Sequence, residues 1–286
     1  MEFIFEVGGF GLRWYSALIA TGLAVGAWIA TIEARRRGEQ PDHVFNIVLL
    51  ALPLALIGAR AYHVIDQWGP LYSHDPARIF LINEGGIGIY GAVAGSILAM
   101  FLYTRWSLGI RWSAVMPSFS LSRRGLSFAR WMDIGAPGLI IGPAIGRWGN
   151  FFNQELYGTP STLPWALDIP FDKRLQGYET FETFHPLFLY ESLLNFMAFG
   201  AMMYLGRRLS HRLHDGDIAL MYGVFYGSVR LSLEGLRIGN WTYGDVPVAT
   251  VISALAIVGC GGALLYRHWW APRKRRAAQA ASGTAE

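Results

Sequence analysis

The chain has 286 residues, 53% of them hydrophobic and 15% charged, with a formal net charge of +4. Soluble domains carry about 25% charged residues, so the composition excludes an ordinary soluble domain. Apolar runs of roughly 20 residues recur, the length that crosses a hydrocarbon core about 30 Å thick, and they mark a polytopic membrane protein.

The first 34 residues read as a retained first span rather than a cleavable signal. Glu2 and Glu6 stand where a basic leader would begin, and no small-residue cleavage pattern follows. Seven spans are expected in all, at about 13–34, 43–66, 86–104, 132–148, 186–206, 216–236 and 246–268. They form a single all-α seven-helix membrane domain over 1–270, with 151–185 at its outer face. The fourth is short and rich in Gly and Pro, which predicts bending or tight packing. The connection 107–130 is expected to be a long cytoplasmic link without a catalytic part. Residues 271–286 read as a disordered tail whose basic start meets anionic lipid. No strands and no internal repeats are expected.

The charges fix the orientation. Arg35–Arg37, the arginines between 105 and 130, Arg207, Arg208, Arg212 and the basic run 267–276 place sixteen of the 24 Lys and Arg on alternate loops. The positive-inside rule puts those loops and the C-terminus in the cytoplasm, and the N-terminus outside.

Polar groups then gather at one depth, in the outer half of the membrane. The second span carries Arg60, Tyr62 and His63, and the third opens with Glu84, Gly85, Gly86 and Tyr90. The fourth ends in Arg147, Asn150, Asn153, Gln154 and Glu155. His185, Tyr190 and Glu191 open the fifth, and Tyr226, Arg230, Glu234 and Arg237 end the sixth. Such groups cost several kcal/mol at membrane depth unless something uses them. Tyr226, Arg230 and Glu234 are successive i, i+4 positions on one helical face, and Arg147 and Asn150 are i, i+3. Plain pairing of Arg230 with Glu234, Arg147 with Glu155 and Arg237 with Glu191 accounts for part of this. Arg147 and Arg230 point further, to an anion. The guanidinium fork presents paired donors suited to a phosphate, and a lipid phosphate is within reach.

Other residues have blander readings. Cys260 lies in an apolar run and reads as a small packed side chain. His43, His74, His211, His214 and His268 read as solvated or interfacial. No spacing indicates a metal site, and neither a cofactor nor a nucleic-acid partner is called for. The glycines from 85 to 95 read chiefly as helix packing. A transporter with an Arg-lined path is the alternative function, although paired broken helices are not evident.

The run Gly146-Arg147-Trp148-Gly149-Asn150-Phe151-Phe152-Asn153-Gln154-Glu155-Leu156-Tyr157-Gly158 resembles the signature of the prolipoprotein diacylglyceryl transferases. Arg13-Trp14-Tyr15-Ser16, Gly58-Ala59-Arg60-Ala61-Tyr62, Gly85-Gly86-Ile87-Gly88-Ile89-Tyr90-Gly91 and His185-Pro186 match in order. So do Leu189-Tyr190-Glu191, Tyr226-Gly227, Arg230, Glu234 and Arg237, and the resemblance covers about residues 8 to 268.

The resemblance implies transfer of the diacylglyceryl group of phosphatidylglycerol to the lipobox cysteine of a prolipoprotein signal peptide. This would occur at the outer face of the bacterial inner membrane and release glycerol phosphate. In that reaction charge grows on the leaving phosphate, so Arg147 and Arg230 are read as its catalytic clamp, and Tyr90 as a further catalytic candidate. Asn150, Tyr226, Tyr15, Arg60, Glu155, Gly158, His185, Glu234 and Arg237 would join the two arginines in binding substrate. Tyr90 stands where many members carry histidine, so histidine-based proton abstraction at that position cannot operate here. His185 and His63 lie nearer the range of a base.

Overall fold

The computed structural model describes residues 3–7, 10–81, 85–112, 117–123, 125–239, 242–243 and 246–271. Glu84, Arg124 and most of the expected tail lie outside the described residues. Among the described residues, seven α-helices fall on the seven expected segments. They are α1 (Trp14–Arg36), α2 (Asp42–Asp66), α3 (Ile89–Arg105), α4 (Phe128–Asn153), α5 (Leu187–Arg208), α6 (Asp217–Ser232) and α7 (Val248–Leu265). Four helical stretches are long and apolar enough to cross a membrane: Trp14–Arg36, Asp42–Asp66, Leu187–Arg208 and Val248–Trp270. Ile89–Arg105 is a shorter apolar helix.

Strands also occur, contrary to expectation. Four two-stranded antiparallel ladders are described: β1 (Phe3–Val7) with β2 (Phe10–Arg13), β3 (Trp106–Trp112) with β4 (Pro117–Arg123), β5 (Leu167–Asp168) with β6 (Thr183–Phe184), and β7 (Thr242–Tyr243) with β8 (Val246–Pro247). The β3–β4 ladder occupies the connection expected to be a plain loop. Its Ser-rich alternation, with Leu108, Ile110, Phe119 and Leu121 between polar residues, has the period of two that a strand requires.

Two compact units are described in turn, residues 1–29 with 135–286 and residues 30–134.

In the first, small residues let backbones meet. A Cβ on Gly22 would lie 2.6 Å from the Gly142 carbonyl oxygen, and one on Gly26 would lie 2.8 Å from that of Gly138. Each helix therefore offers a small-xxx-small step to the other, the pattern that substitutes for hydrophobic drive inside lipid. Ala136, Ile140, Ala198, Met202 and Ile218 form a buried cluster joining α4, α5 and α6. Against α6, a Cβ on Gly227 would meet the Ser253 carbonyl of α7 at 2.8 Å. Large apolar side chains elsewhere point outward: Met197 is 70% exposed and Val258 72%. A soluble helix would bury them; here lipid is their solvent.

In the second unit, α2 and α3 cross at Gly58, Gly91 and Gly95, where any Cβ would strike the facing backbone. Ion pairs gather at the other end of this unit, Arg37 with Asp133 at 3.2 Å and Arg130 with Glu39 at 3.2 Å.

Candidate active site

Helix α4 runs past its expected end to Asn153, in spite of Pro137 and Pro143. Its termination builds the site. The Glu155 amide reaches back to the Asn150 carbonyl (3.0 Å), and the Gln154 amide to that of Phe151 (3.1 Å), while Gln154 takes φ +55°. This is a Schellman cap with glutamine where glycine is usual. Leu156 repeats the left-handed conformation at φ +56°. Two non-glycine residues in that region within three positions store strain of order 1–3 kcal/mol each. The Gln154 side chain offsets part of this by donating to the Phe151 carbonyl at 2.8 Å.

The cap fixes Asn150 between two charges. Its Nδ2 donates to Glu155 Oε1 at 2.7 Å, and its Oδ1 faces Arg147 Nη1 at 3.5 Å. The pairing of Arg147 with Glu155 is thus made through the carboxamide. Arg147 itself pairs through Nε with Glu191 Oε2 on α5, and Arg237 Nη2 pairs with the other oxygen, Glu191 Oε1. Tyr226, Tyr15 and Glu155 all lie near enough to interact electrostatically with Arg147. A Cβ on Gly149 would lie 2.9 Å from the Tyr15 ring, so the glycine admits this tyrosine against α4.

Helix α6 stops at Ser232, short of its expected end, and a 3₁₀ turn over Glu234–Leu236 follows. The expected pairing along the stripe survives: Arg230 Nη1 lies 2.5 Å from Glu234 Oε2. Arg237 has left the helix and sits in an extended conformation at φ −83°. Gly158 bridges Arg237 in antiparallel fashion, and its amide donates to the His185 carbonyl at 2.8 Å. A Cβ at 158 would come 2.6 Å from the Leu236 carbonyl oxygen, so only glycine lets the strand carrying Arg237 approach. His185 Nδ1 lies 3.2 Å from the Tyr190 hydroxyl, which also accepts from Trp165 Nε1 at 2.9 Å. Among the described residues, Glu234 Oε1 and Arg237 Nε are buried without a hydrogen-bond partner. Buried polar atoms left unfilled next to paired charges mark a site with capacity for a ligand.

Arg60 and Tyr90 belong to the second unit. The Arg60 fork is filled by backbone: Nε donates to Ile79 O (2.9 Å), Nη1 to Gly85 O (2.6 Å) and Gly86 O (3.0 Å), and Nη2 to Arg78 O (2.5 Å) and Leu81 O (3.2 Å). This guanidinium shapes the glycine turn, where Gly85 and Gly86 take φ +84° and +75°. The Tyr90 ring tilts against Tyr62 at 5.8 Å.

Three contacts are not legible in the sequence. Glu191, expected to pair with Arg237, also holds Arg147. Trp165 could not be tied to Tyr190 across 25 residues. Tyr157, whose hydroxyl donates to Lys173 O at 2.9 Å and accepts from the Leu175 amide at 2.6 Å, was visible only as part of the signature run.

A group of metal-ligand type is also present where none was expected. His214, Asp217 and His268 converge with ligand atoms within 4.8 Å of one another. Asp217 is already paired with Arg267 at 2.7 Å and bonded by the His214 amide at 2.7 Å. These contacts neutralise its buried charge and tie the start of α6 to the turn after α7.

Comparison with known proteins bears on what this arrangement does. A family model described as prolipoprotein diacylglyceryl transferase matches residues 2–266. Among curated relatives, the phosphatidylglycerol–prolipoprotein diacylglyceryl transferase of Chloroflexus aggregans is 37% identical, over 90% of this chain and 85% of its own. The protein of the same description from Gloeobacter violaceus is 37% identical, over 95% of this chain and 93% of its own. That of Halalkalibacterium halodurans is 38% identical, over 94% and 86%.

Proposed function

The chain belongs to the prolipoprotein diacylglyceryl transferase family, and from that premise we propose that it transfers the diacylglyceryl group of phosphatidylglycerol to the lipobox cysteine of a prolipoprotein signal peptide. The cysteine sulfur attacks the glycerol carbon that bears the phosphate ester. A C–S bond forms, the C–O bond breaks, and glycerol phosphate leaves.

Charge decides which residues matter. The phosphate passes from one negative charge as a diester toward two as a monoester, so anionic character grows on the leaving group. Donors placed there stabilise the transition state more than the bound lipid, which raises the rate rather than the affinity alone. Arg147 and Arg230 clamp the phosphate, and Asn150 and Tyr226 orient it or bond the headgroup glycerol. Tyr15, Glu155, His185, Glu234 and Arg237 complete the pocket wall, Gly158 admits the strand that bears Arg237, and Arg60 keeps the glycine turn before Tyr90 in shape. The thiol needs less help. With a pKa of about 8.5 it is a few per cent ionised near neutrality, and the arginines' field raises that share.

The observation that carries this reading is the carboxylate of Glu191, shared by Arg147 and Arg237. Arg230 pairs with Glu234 along the α6 stripe. The seven helices each span the bacterial inner membrane, with the N-terminus outside, the C-terminus in the cytoplasm and the cluster at the outer face. The arginine asymmetry of the loops supports that orientation. Purified protein given phosphatidylglycerol and a lipobox peptide tests the assignment. Thioether-linked peptide and glycerol phosphate are expected in equal amounts; lipid binding without product would refute it.

A further inference from the structure

We propose that Glu191 is a positioning residue that aims the Arg147 guanidinium at the lipid phosphate, an inference that rests on the transferase reading above. Glu191 Oε2 takes Arg147 on its Nε side, and Oε1 takes Nη2 of Arg237. The carboxylate thus occupies the lateral edge of the Arg147 fork. Among the described residues, its terminal edge carries only the 3.5 Å contact between Nη1 and Asn150. A guanidinium offers two edges for paired recognition of oxyanions, so fixing the lateral one dedicates the terminal one to a ligand.

Burial falls in the same direction. The side chain of Glu191 is 6% exposed, that of Arg237 14% and that of Arg147 33%. Glu191 is the floor of the site and Arg147 its open end. The floor is rigid because the next residue locks α5 to α4: Ser192 Oγ donates to the Ala144 carbonyl at 2.7 Å and accepts from Trp148 Nε1 at 3.1 Å. Arg147 lies between these two α4 positions, so its distance from Glu191 is set by the helix pair.

The balance of charge fits the substrate. Two cations on one carboxylate leave a net single positive charge, which a phosphate diester neutralises. As the ester bond breaks, the growing charge meets a donor edge already in place. An arginine free to rotate would lose side-chain entropy at that moment; one held from behind does not, and preorganisation of this kind acts on the chemical step.

Glu191→Gln and Glu191→Asp distinguish this role from mere scaffolding. Initial rates of glycerol phosphate release are measured in micelles containing phosphatidylglycerol and a lipobox peptide, with monodispersity on gel filtration as the check on folding. Glu191→Gln is expected to lower kcat about 10- to 100-fold while KM for phosphatidylglycerol stays within about threefold. Glu191→Asp, which keeps the charge on a shorter arm, is expected to recover part of kcat. If only the aspartate variant is recovered folded, the same split between kcat and KM decides. An unchanged kcat in the folded variant, or a rise confined to KM, overturns the proposal alone. A wild-type protein that releases no glycerol phosphate overturns the transferase reading and this inference with it.

Discussion

Arg147 on α4 is ion-paired with Glu191 on α5, across the interface that Ser192 and Trp148 lock. The pair holds the guanidinium without consuming it. Arg147→Ala is therefore expected to lower transfer about 10²- to 10³-fold while the protein still inserts and remains monodisperse. Arg147→Lys keeps the charge but loses the fork, and should recover only a small part of that loss. Rates of lipidation of a reporter prolipoprotein check both variants. Near-normal lipidation by Arg147→Ala removes the phosphate clamp from the mechanism.

Helix positions and the polar stripe were legible because they depend on local periodicity. The α6 stripe placed Arg230 and Glu234 together correctly, and the pair stands at 2.5 Å although the helix ends between them. The Arg147–Asn150 spacing likewise held because α4 continues through both. What could not be read were contacts that tertiary closure alone creates. Glu191 serves two arginines only once α5 and the strand after α6 both reach α4. The resemblance implies that Arg60 binds substrate, and the fold shows its donors going to carbonyls from residues 78 to 86. Sequence does not show where a backbone turn will leave its oxygens. The strained cap at Gln154 was equally hidden, because glutamine carries no left-handed preference of its own.

The Gly26–Gly138 crossing sets a packing limit. A valine at 26 would place its Cβ 2.8 Å from a carbonyl oxygen that belongs to backbone and cannot step aside. Gly26→Val is expected to destabilise the protein by about 1–3 kcal/mol and to lower its Tm in detergent. Gly200→Ala, on α5 where nothing lies within 4 Å of the new Cβ, serves as the control and should change Tm little. Equal Tm values for the two variants contradict the crossing.

Tyr90 separates two accounts of proton transfer. Its ring tilts against Tyr62 at 5.8 Å. If its hydroxyl takes part in moving the thiol proton, Tyr90→Phe should lower kcat by about 10²-fold or more. Tyr90→His should restore activity with an optimum at lower pH, because imidazole titrates near 6.5. Full activity in Tyr90→Phe removes the hydroxyl from the chemistry and leaves thiol ionisation to the arginine field.

The segment between α4 and α5 has its own acid sensitivity. Glu179 accepts the Gly177 amide at 2.8 Å through Oε2, while its carbonyl receives Arg174 Nη1 at 2.8 Å. Bonds from its own amide and from that of Gly177 hold its carboxyl below the usual glutamate range. A carboxyl whose pKa is lower folded than unfolded stabilises the fold above its unfolded value, about 4.3. That contribution fades as pH falls through the folded value. Residues 174–182 should therefore exchange amide hydrogens faster, after correction for the intrinsic rate, once the pH drops below the ordinary glutamate range. Glu179→Gln, which keeps an acceptor but cannot titrate, should abolish that acid step. Because the side chain is exposed, the effect stays local, and α5 beyond Leu187 should keep its protection throughout. Acid-induced exchange that persists in Glu179→Gln, or that spreads into α5, would place the sensitive group elsewhere.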